Sequence, residues 1–364
     1  MRIAYCLHSL HRAGGIERVL TIKANYLAER SGHEVHIIAA CLKGRTPAFE
    51  LSDRIMVHDL GTNDNIPWSG YASKLGSVLA GIDPDISIAI GDNSMKALLR
   101  SRDRSAKIAE FHFSHEKFMM KYNGNPLAGW YAAYRTRALE RLAAGFDRFV
   151  VLTASDCRDW QETLSNVTFI GNPQTFTSPD AASLTGRHCM AAGRLEKQKN
   201  FKDAVTAWQA VARKHPDWTL DIYGTGSLEK ELRKQIGELS LDGKVRLMGL
   251  SRDVRHDMLE SSMLVMTSVF EGFPMVLLEA AETGLPVVSY DCPKGPSDIV
   301  EDGKTGFLVK PGDTAALSNA ICRLIEDESM RKDFGKAARE KSGEYSMDRT
   351  MERWNTLFRE LAGS

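Results

Sequence analysis

The sequence has no net charge, since 47 Lys and Arg balance 47 Asp and Glu. That removes the electrostatic footprint of a protein that wraps nucleic acid. It also has no long hydrophobic run: no stretch approaches eighteen uninterrupted apolar residues, which excludes a spanning helix and leaves only peripheral contact with a membrane. The opening Met1-Arg2-Ile3-Ala4-Tyr5-Cys6-Leu7 is cut short by His8 and His11-Arg12, so it is too brief for a signal sequence and reads as a first strand. The six cysteines, Cys6, Cys41, Cys157, Cys189, Cys292 and Cys322, form no C-x-x-C pair and have no histidine at metal-ligand spacing. They read as reduced, mostly buried thiols in a cytoplasmic protein. The first strand-to-helix loop lacks G-x-G-x-x-G, which counts against an NAD-dependent oxidoreductase.

What is present is a chain of 364 residues, 43% hydrophobic and 26% charged. That is ordinary globular composition, at a length where one core usually gives way to two. A strand at about Ile3 to Leu7 leads through Gly14-Gly15 into a helical run from Ile16 to Arg30. Further strands read at residues 34–40, 86–90, 107–111 and 147–152. Beyond Ile170-Gly171-Asn172-Pro173 a stretch rich in Ser, Thr, Pro and Asp runs to Gly186 and reads as a linker. The alternation then restarts, with strands at 188–192, 219–223, 245–248, 263–267 and 285–290. Strands alternating with helices imply parallel sheets covered on both faces, with ligands at the carboxyl ends of the strands. The expected division is one Rossmann-like domain over residues 1–172 and a second over 173–346. A C-terminal helix over 347–364, with Met351, Trp354, Leu357, Phe358 and Leu361 on one stripe, needs an apolar surface and is expected to cross back to the first domain.

The segment most informative about chemistry is Ser268-Val269-Phe270-Glu271-Gly272-Phe273-Pro274-Met275-Val276-Leu277-Leu278-Glu279-Ala280. It follows a strand, turns at Gly272 and starts a helix at Pro274, so free backbone N–H groups face any anion at the strand ends. Glu271 and Glu279 could both accept hydrogen bonds from sugar hydroxyls. A second cluster, Ala192-Gly193-Arg194-Leu195-Glu196-Lys197-Gln198-Lys199-Asn200-Phe201, sits between a strand and a helix. Arg194 with its planar fork and Lys199 as a point charge could grip the two phosphates of a diphosphate.

These motifs resemble the retaining glycosyltransferases of family 4, whose signature is E-x7-E and whose fold is GT-B: two Rossmann-like doubly wound domains facing across a cleft. The segments Gly284-Leu285-Pro286-Val287-Val288 and Asp302 to Val309 extend the resemblance, as does the match of 193–199 to the family's G-R-L...Q-K phosphate clamp. The resemblance implies that Glu271 contacts donor sugar hydroxyls and Glu279 the ribose hydroxyls. It places the backbone of Phe273, Pro274, Met275 and Val276 near the phosphates, and Arg194 and Lys199 on the departing nucleotide diphosphate, with Lys197 a bystander. Tyr223-Gly224-Thr225-Gly226 is better explained as a tight turn than as a contact. The family nevertheless has this stretch near the nucleotide, so Gly224 joins the candidates, with the base expected near Leu250 to Arg252. In the first half, the resemblance assigns donor contact to Gly15 and Gly14. Phe111-His112-Phe113-Ser114-His115 offers His112 at a strand end near the donor sugar, with His115 as the fallback.

Asp83-Pro84-Asp85 imitates a metal-binding D-x-D but precedes its strand, so it belongs at the amino end of the sheet. With Arg194, Lys199 and helix N-termini available to balance charge, no metal and no cofactor are expected. The helix over 127–146 shows Trp130, Tyr131, Tyr134, Ala138 and Leu142 on an apolar side with Arg137 and Arg141 beside them. It reads either as a core helix or as an amphipathic surface for the inner face of a membrane. The expected activity is transfer, with retention, of a hexose or N-acetylhexosamine from a nucleotide-sugar, a UDP-sugar by preference, to a glycan or lipid-linked glycan in bacterial surface-polysaccharide synthesis. The rivals are a nucleotide-sugar epimerase or hydrolase of the same architecture, and a non-catalytic nucleotide-sugar-binding protein.

Overall fold

The computed structural model describes residues 1–62, 68–121 and 126–363. The chain forms two compact units, Met1–Thr175 together with Met347–Ser364, and Phe176–Ser346. Among the described residues of the first unit, seven strands form one parallel sheet: β1 (Arg2–Leu7), β2 (Glu34–Ala39), β3 (Ile55–Asp59), β4 (Ile86–Ile90), β5 (Ala106–Glu110), β6 (Arg148–Val151) and β7 (Val167–Phe169). Their order is β3-β2-β1-β4-β5-β6-β7. The central strands are apolar on both faces because helices cover both sides, and Ile3, Ala4, Tyr5 and Cys6 are wholly buried. Two strands lie outside the expectations above. β3 and β7 are the sheet's edges, and they are short and partly exposed, so neither carries the continuous apolar run that marks a central strand.

The second unit repeats the plan with β8 (His188–Ala192), β9 (Thr219–Tyr223), β10 (Val245–Gly249), β11 (Met263–Met266), β12 (Val287–Tyr290) and β13 (Gly306–Val309), in the order β10-β9-β8-β11-β12-β13. Its last helices start on aspartate caps. Asp313 accepts from the Ala316 N–H and Asp327 from the Met330 N–H, each at 2.8 Å, which satisfies donors that the first turn leaves free. The stretch before β8 is not a slack tether. Ala182 N–H donates to the Thr283 carbonyl at 2.8 Å, Ser178 N–H to Glu282 at 2.9 Å, and Arg331 to the Leu184 carbonyl at 3.0 Å, all within the second unit.

The last helix, Met347–Ala362, belongs to the first unit. Its apolar stripe buries Met351, Trp354, Leu357 and Phe358 in one cluster with Ile3, Tyr5, Ile86 and Ile88 on a face of the sheet. Hydrogen bonds from Tyr26 to Asp348 (2.8 Å) and from Asn355 to Ser31 (3.0 Å) fix its register. The helix Pro126–Ala143 is not a core helix. Trp130 is 76% exposed and Tyr131 and Tyr134 are exposed as well, while Ala132, Leu139 and Ala143 face the core. Asp83 and Asp85 lie at the amino end of β4, where the Asp85 carboxylate accepts from the Arg2 N–H at 2.7 Å and Asp83 pairs with the Arg2 guanidinium at 3.4 Å.

Candidate active site

In a doubly wound sheet the place for a ligand is the carboxyl end where the strand order reverses. In the second unit that point lies between β8 and β11, and the loops leaving these two strands carry Arg194, Lys199 and Glu271. They are brought together by backbone and side-chain bonds. Val269 N–H donates to the Gln198 carbonyl at 2.9 Å, Gln198 Nε2 to the Phe270 carbonyl at 3.0 Å, and Thr267 Oγ1 to the Lys199 carbonyl at 3.1 Å. Held this way, Lys199 Nζ donates to Glu271 Oε1 at 2.6 Å. Arg194 is exposed at the outer end of the same loop, its guanidinium 3.4 Å from Gln198 Oε1.

Phe273 and Pro274 are buried and lead into the helix Met275–Glu282, with Met275 and Val276 half-buried in its first turn and Glu279 buried at its fifth position. Its N-cap residue, Pro274, makes no side-chain capping bond. Gly224 has φ +139°, and a Cβ there would overlap the Gly193 carbonyl, so the turn demands glycine whether or not a ligand is present. Its N–H donates to the Gly249 carbonyl at 2.7 Å, which puts Leu250, 74% exposed, next to the 223–226 turn. Cys292 is a neighbour that the sequence did not single out. Burial first, and then the Glu271 carboxylate against an opposing Lys199, push its thiol up to about 12, so it is a neutral wall of the site.

In the first unit the order reverses between β1 and β4. The loops at this point and the end of β5 enclose a cavity of about 190 Å³ lined by Leu7, His8, Ser9, Arg12, Gly91 and His112, among others. Gly14 is the N-cap of the helix Gly15–Glu29 and Gly15 its exposed first residue; Ile16 and Glu17, next in that turn, also line the cavity. The His112 side chain is 5% exposed, with its Nε2 3.1 Å from Glu110 Oε1. Glu110 also accepts from Lys23 Nζ at 2.6 Å, and both partners are 1% exposed. Burial alone would raise the Glu110 carboxyl, but the Lys23 ammonium, with His112 behind it, outweighs burial and holds it at about 2. The Trp354 ring covers Lys23 Nζ at 4.0 Å, so the C-terminal helix closes this buried pair. His115 is placed elsewhere: its ring stands edge-on to Trp160 at 4.6 Å and 3.8 Å from Glu140. Arg12, His8 and Glu110 were missed as site residues, although the His11-Arg12 pair directly after β1 was visible in the sequence.

The family described as Glycosyltransferase Family 4 matches residues 13–173, and the one described as Glycosyl transferases group 1 matches residues 184–341. The chain belongs to these glycosyltransferases. The enzyme is 27% identical to an uncharacterized glycosyltransferase of Haemophilus influenzae, over 98% of this chain and 99% of the relative. It is 26% identical to the amylovoran biosynthesis glycosyltransferase AmsD of Erwinia amylovora, again over 98% and 99%. Its fold matches S. aureus TarM, solved in complex with fondaparinux, alpha-GlcNAc-glycerol and UDP, with a TM-score of 0.82 at 16% identity over 98% of this chain and 99% of that one. The architecture is thus GT-B, and the epimerase, hydrolase and non-catalytic readings give way to a transferase. Among the described residues no helix is long and apolar enough to cross a membrane.

Proposed function

We propose that this glycosyltransferase moves a hexose or N-acetylhexosamine from a UDP-sugar to a glycan or lipid-linked glycan, with retention at the anomeric carbon and without a metal ion. The observation that carries the reading is the convergence of Lys199, Glu271 and Arg194 at the strand-order reversal of the second unit, just ahead of the start of the helix Met275–Glu282. UDP in the TarM complex supports the choice of nucleotide, and the relative in amylovoran biosynthesis supports a polysaccharide product.

In this reading the bond from the anomeric carbon to the diphosphate oxygen breaks, and its electron pair stays on the diphosphate. Arg194, Lys199 and the first-turn N–H groups at Met275 and Val276 meet that charge, the work a divalent ion would otherwise do. The acceptor hydroxyl bonds to the same face of the sugar and gives its proton to the leaving phosphate oxygen. Glu271 orients the sugar hydroxyls, Glu279 the ribose hydroxyls, and Leu250 packs by the base. The resemblance to family 4 is what assigns His112, Gly14 and Gly15 to the donor sugar. The exposed stripe of Trp130, Tyr134, Arg137 and Arg141 on Pro126–Ala143 pairs aromatic rings with cations, which suits the inner face of an anionic membrane and a lipid-linked acceptor.

The test is thermal protection by a panel of UDP-, GDP- and ADP-sugars, followed by transfer assays with and without excess EDTA. UDP-sugars should protect most, and transfer should survive the chelator. Protection by GDP- or ADP-sugars alone would overturn the nucleotide, and loss of transfer restored by magnesium or manganese would overturn the metal-free step.

A further inference from the structure

We propose that Glu110 is a positioning residue for His112: its carboxylate, fixed by Lys23 beneath Trp354, keeps the ring proton on Nε2 and leaves the Nδ1 lone pair to accept from a sugar hydroxyl. The proposal rests on the reading that places His112 at the donor sugar, and it supplies what sets that ring.

His112 follows Glu110 by two residues at the carboxyl end of β5, and the two side chains meet with Nε2 3.1 Å from Oε1. Three elements distant in the chain converge on that carboxylate. β5 carries it, the helix Gly15–Glu29 brings Lys23 Nζ to Oε1 at 2.6 Å, and the C-terminal helix lays the Trp354 ring over the ammonium. Lys23 does not use up the acid, because Oε2 is buried with no hydrogen-bond partner among the described residues. His112 Nε2 is buried too, and its contact with Oε1 is not aligned as a hydrogen bond. Each of these polar groups costs free energy until it is paired, and a modest rotation of the ring would bring Nε2 onto the acid.

The chemistry of the two groups then fixes the tautomer. Burial alone would raise the Glu110 carboxyl, but the Lys23 ammonium and His112 hold it at about 2, so it stays ionised. An ionised carboxylate only accepts, whereas a neutral imidazole has one N–H and one lone pair. A lone pair on Nε2 would oppose those of Oε1, so the N–H belongs there and the lone pair falls to Nδ1. Nδ1 makes no hydrogen bond to a described residue, and His112 lines the cavity together with Leu7, Ser9 and Gly91. A buried ion pair adds little stability over apolar side chains of similar volume. What apolar side chains could not supply is a fixed anion set against the ring.

The test is a mutant cycle with an NMR readout, made on the full chain with the UDP-sugar that protects best. Lys23→Met/Glu110→Leu replaces the pair by apolar side chains and is checked for folding by urea unfolding. It should lower kcat roughly tenfold or more and leave UDP affinity at the wild-type value. Added to His112→Ala it should cost nothing further, because Glu110 acts through that ring. Losses that multiply, or wild-type kcat in Lys23→Met/Glu110→Leu while His112→Ala is slow, overturn the proposal. In histidine labelled with 15N, at about pH 8.5 where an ordinary ring is neutral, the signal that His112→Ala removes should carry its proton on Nε2, in slow exchange with water. That proton should exchange fast in Lys23→Met/Glu110→Leu. A proton on Nδ1 in the wild-type protein overturns the proposal whether or not the variants fold. If His112→Ala transfers as wild type does, the placing of His112 at the donor falls instead, and the NMR signal still decides whether Glu110 sets the ring.

Discussion

Two lysine–glutamate pairs, one in each unit, share a separation of 2.6 Å and differ in everything around it. Lys23 and Glu110 are sealed under Trp354, and what they do is hold charge inside a core. Lys199 and Glu271 retain 17% and 7% exposure at the end of a sheet, next to an exposed arginine and the start of a helix. The first pair has no way to exchange partners without exposing the core. The second is open to a ligand, and in the proposed reading Lys199 turns to phosphate and Glu271 to hydroxyls. Distance alone therefore does not separate a sealed ion pair from one that a ligand can reach; solvent access does.

The sharpest way to break this contrast is to remove one lysine from each pair. Lys23→Ala leaves the buried Glu110 carboxylate without its ammonium partner and should lower stability by about 3–5 kcal/mol in urea unfolding. Lys199→Ala should cost well under half of that. Equal losses would erase the distinction. The buried pair also has a pH signature. The Glu110 carboxyl is held at about 2, against about 4.3 for an unfolded glutamate. A depressed pKa gives stability that is present above the unfolded value and lost as pH falls through the folded one. The acid-unfolding curve should therefore steepen between about pH 4.3 and about 2, and Glu110→Gln should flatten that part.

On turnover the order reverses. Arg194→Ala and Lys199→Ala should each reduce transfer by roughly 10²-fold or more with the urea midpoint nearly unchanged, because each removes charge from the departing diphosphate. Wild-type turnover in either variant would take that residue out of the clamp. A finer division separates the two glutamates. Glu279→Ala should weaken UDP binding by about tenfold or more in calorimetry, the cost of a hydrogen bond to a charged group. Glu271→Ala should leave UDP binding almost intact while transfer falls. Equal loss of UDP affinity in both variants would end the assignment of one carboxylate to ribose and the other to sugar. The smallest effect is expected at the exposed aromatic stripe. Trp130→Ser with Tyr134→Ser should change stability by less than about 0.5 kcal/mol, yet release the enzyme from phosphatidylglycerol vesicles in a flotation assay. Undiminished flotation would remove these rings from any membrane contact.

The sequence by itself determined the doubly wound class, because fully buried parallel strands such as β1 and β4 are written as near-continuous apolar runs, interrupted in β4 only by the small Ser87. It also determined which loops leave those strands, and so the positions of Arg194, Lys199, Glu271 and His112 relative to strand ends. The stripe from Met351 to Phe358 showed that the last helix must bury one face. What only the tertiary structure decided were the relations between segments distant in the chain. Strand order brought the loops after β8 and β11 together, and those after β1 and β4. The first sheet became the surface that Trp354 covers, and Lys23 became the partner of Glu110, 87 residues away. The helix Pro126–Ala143 turned its aromatic rings outward, opposite to a core reading, because the small side chains Ala132 and Ala143 with Leu139 are what its neighbours accommodate. Local periodicity records that a residue needs burial or carries charge. Which groups meet depends on crossovers and close packing, and those are properties of the assembled sheets.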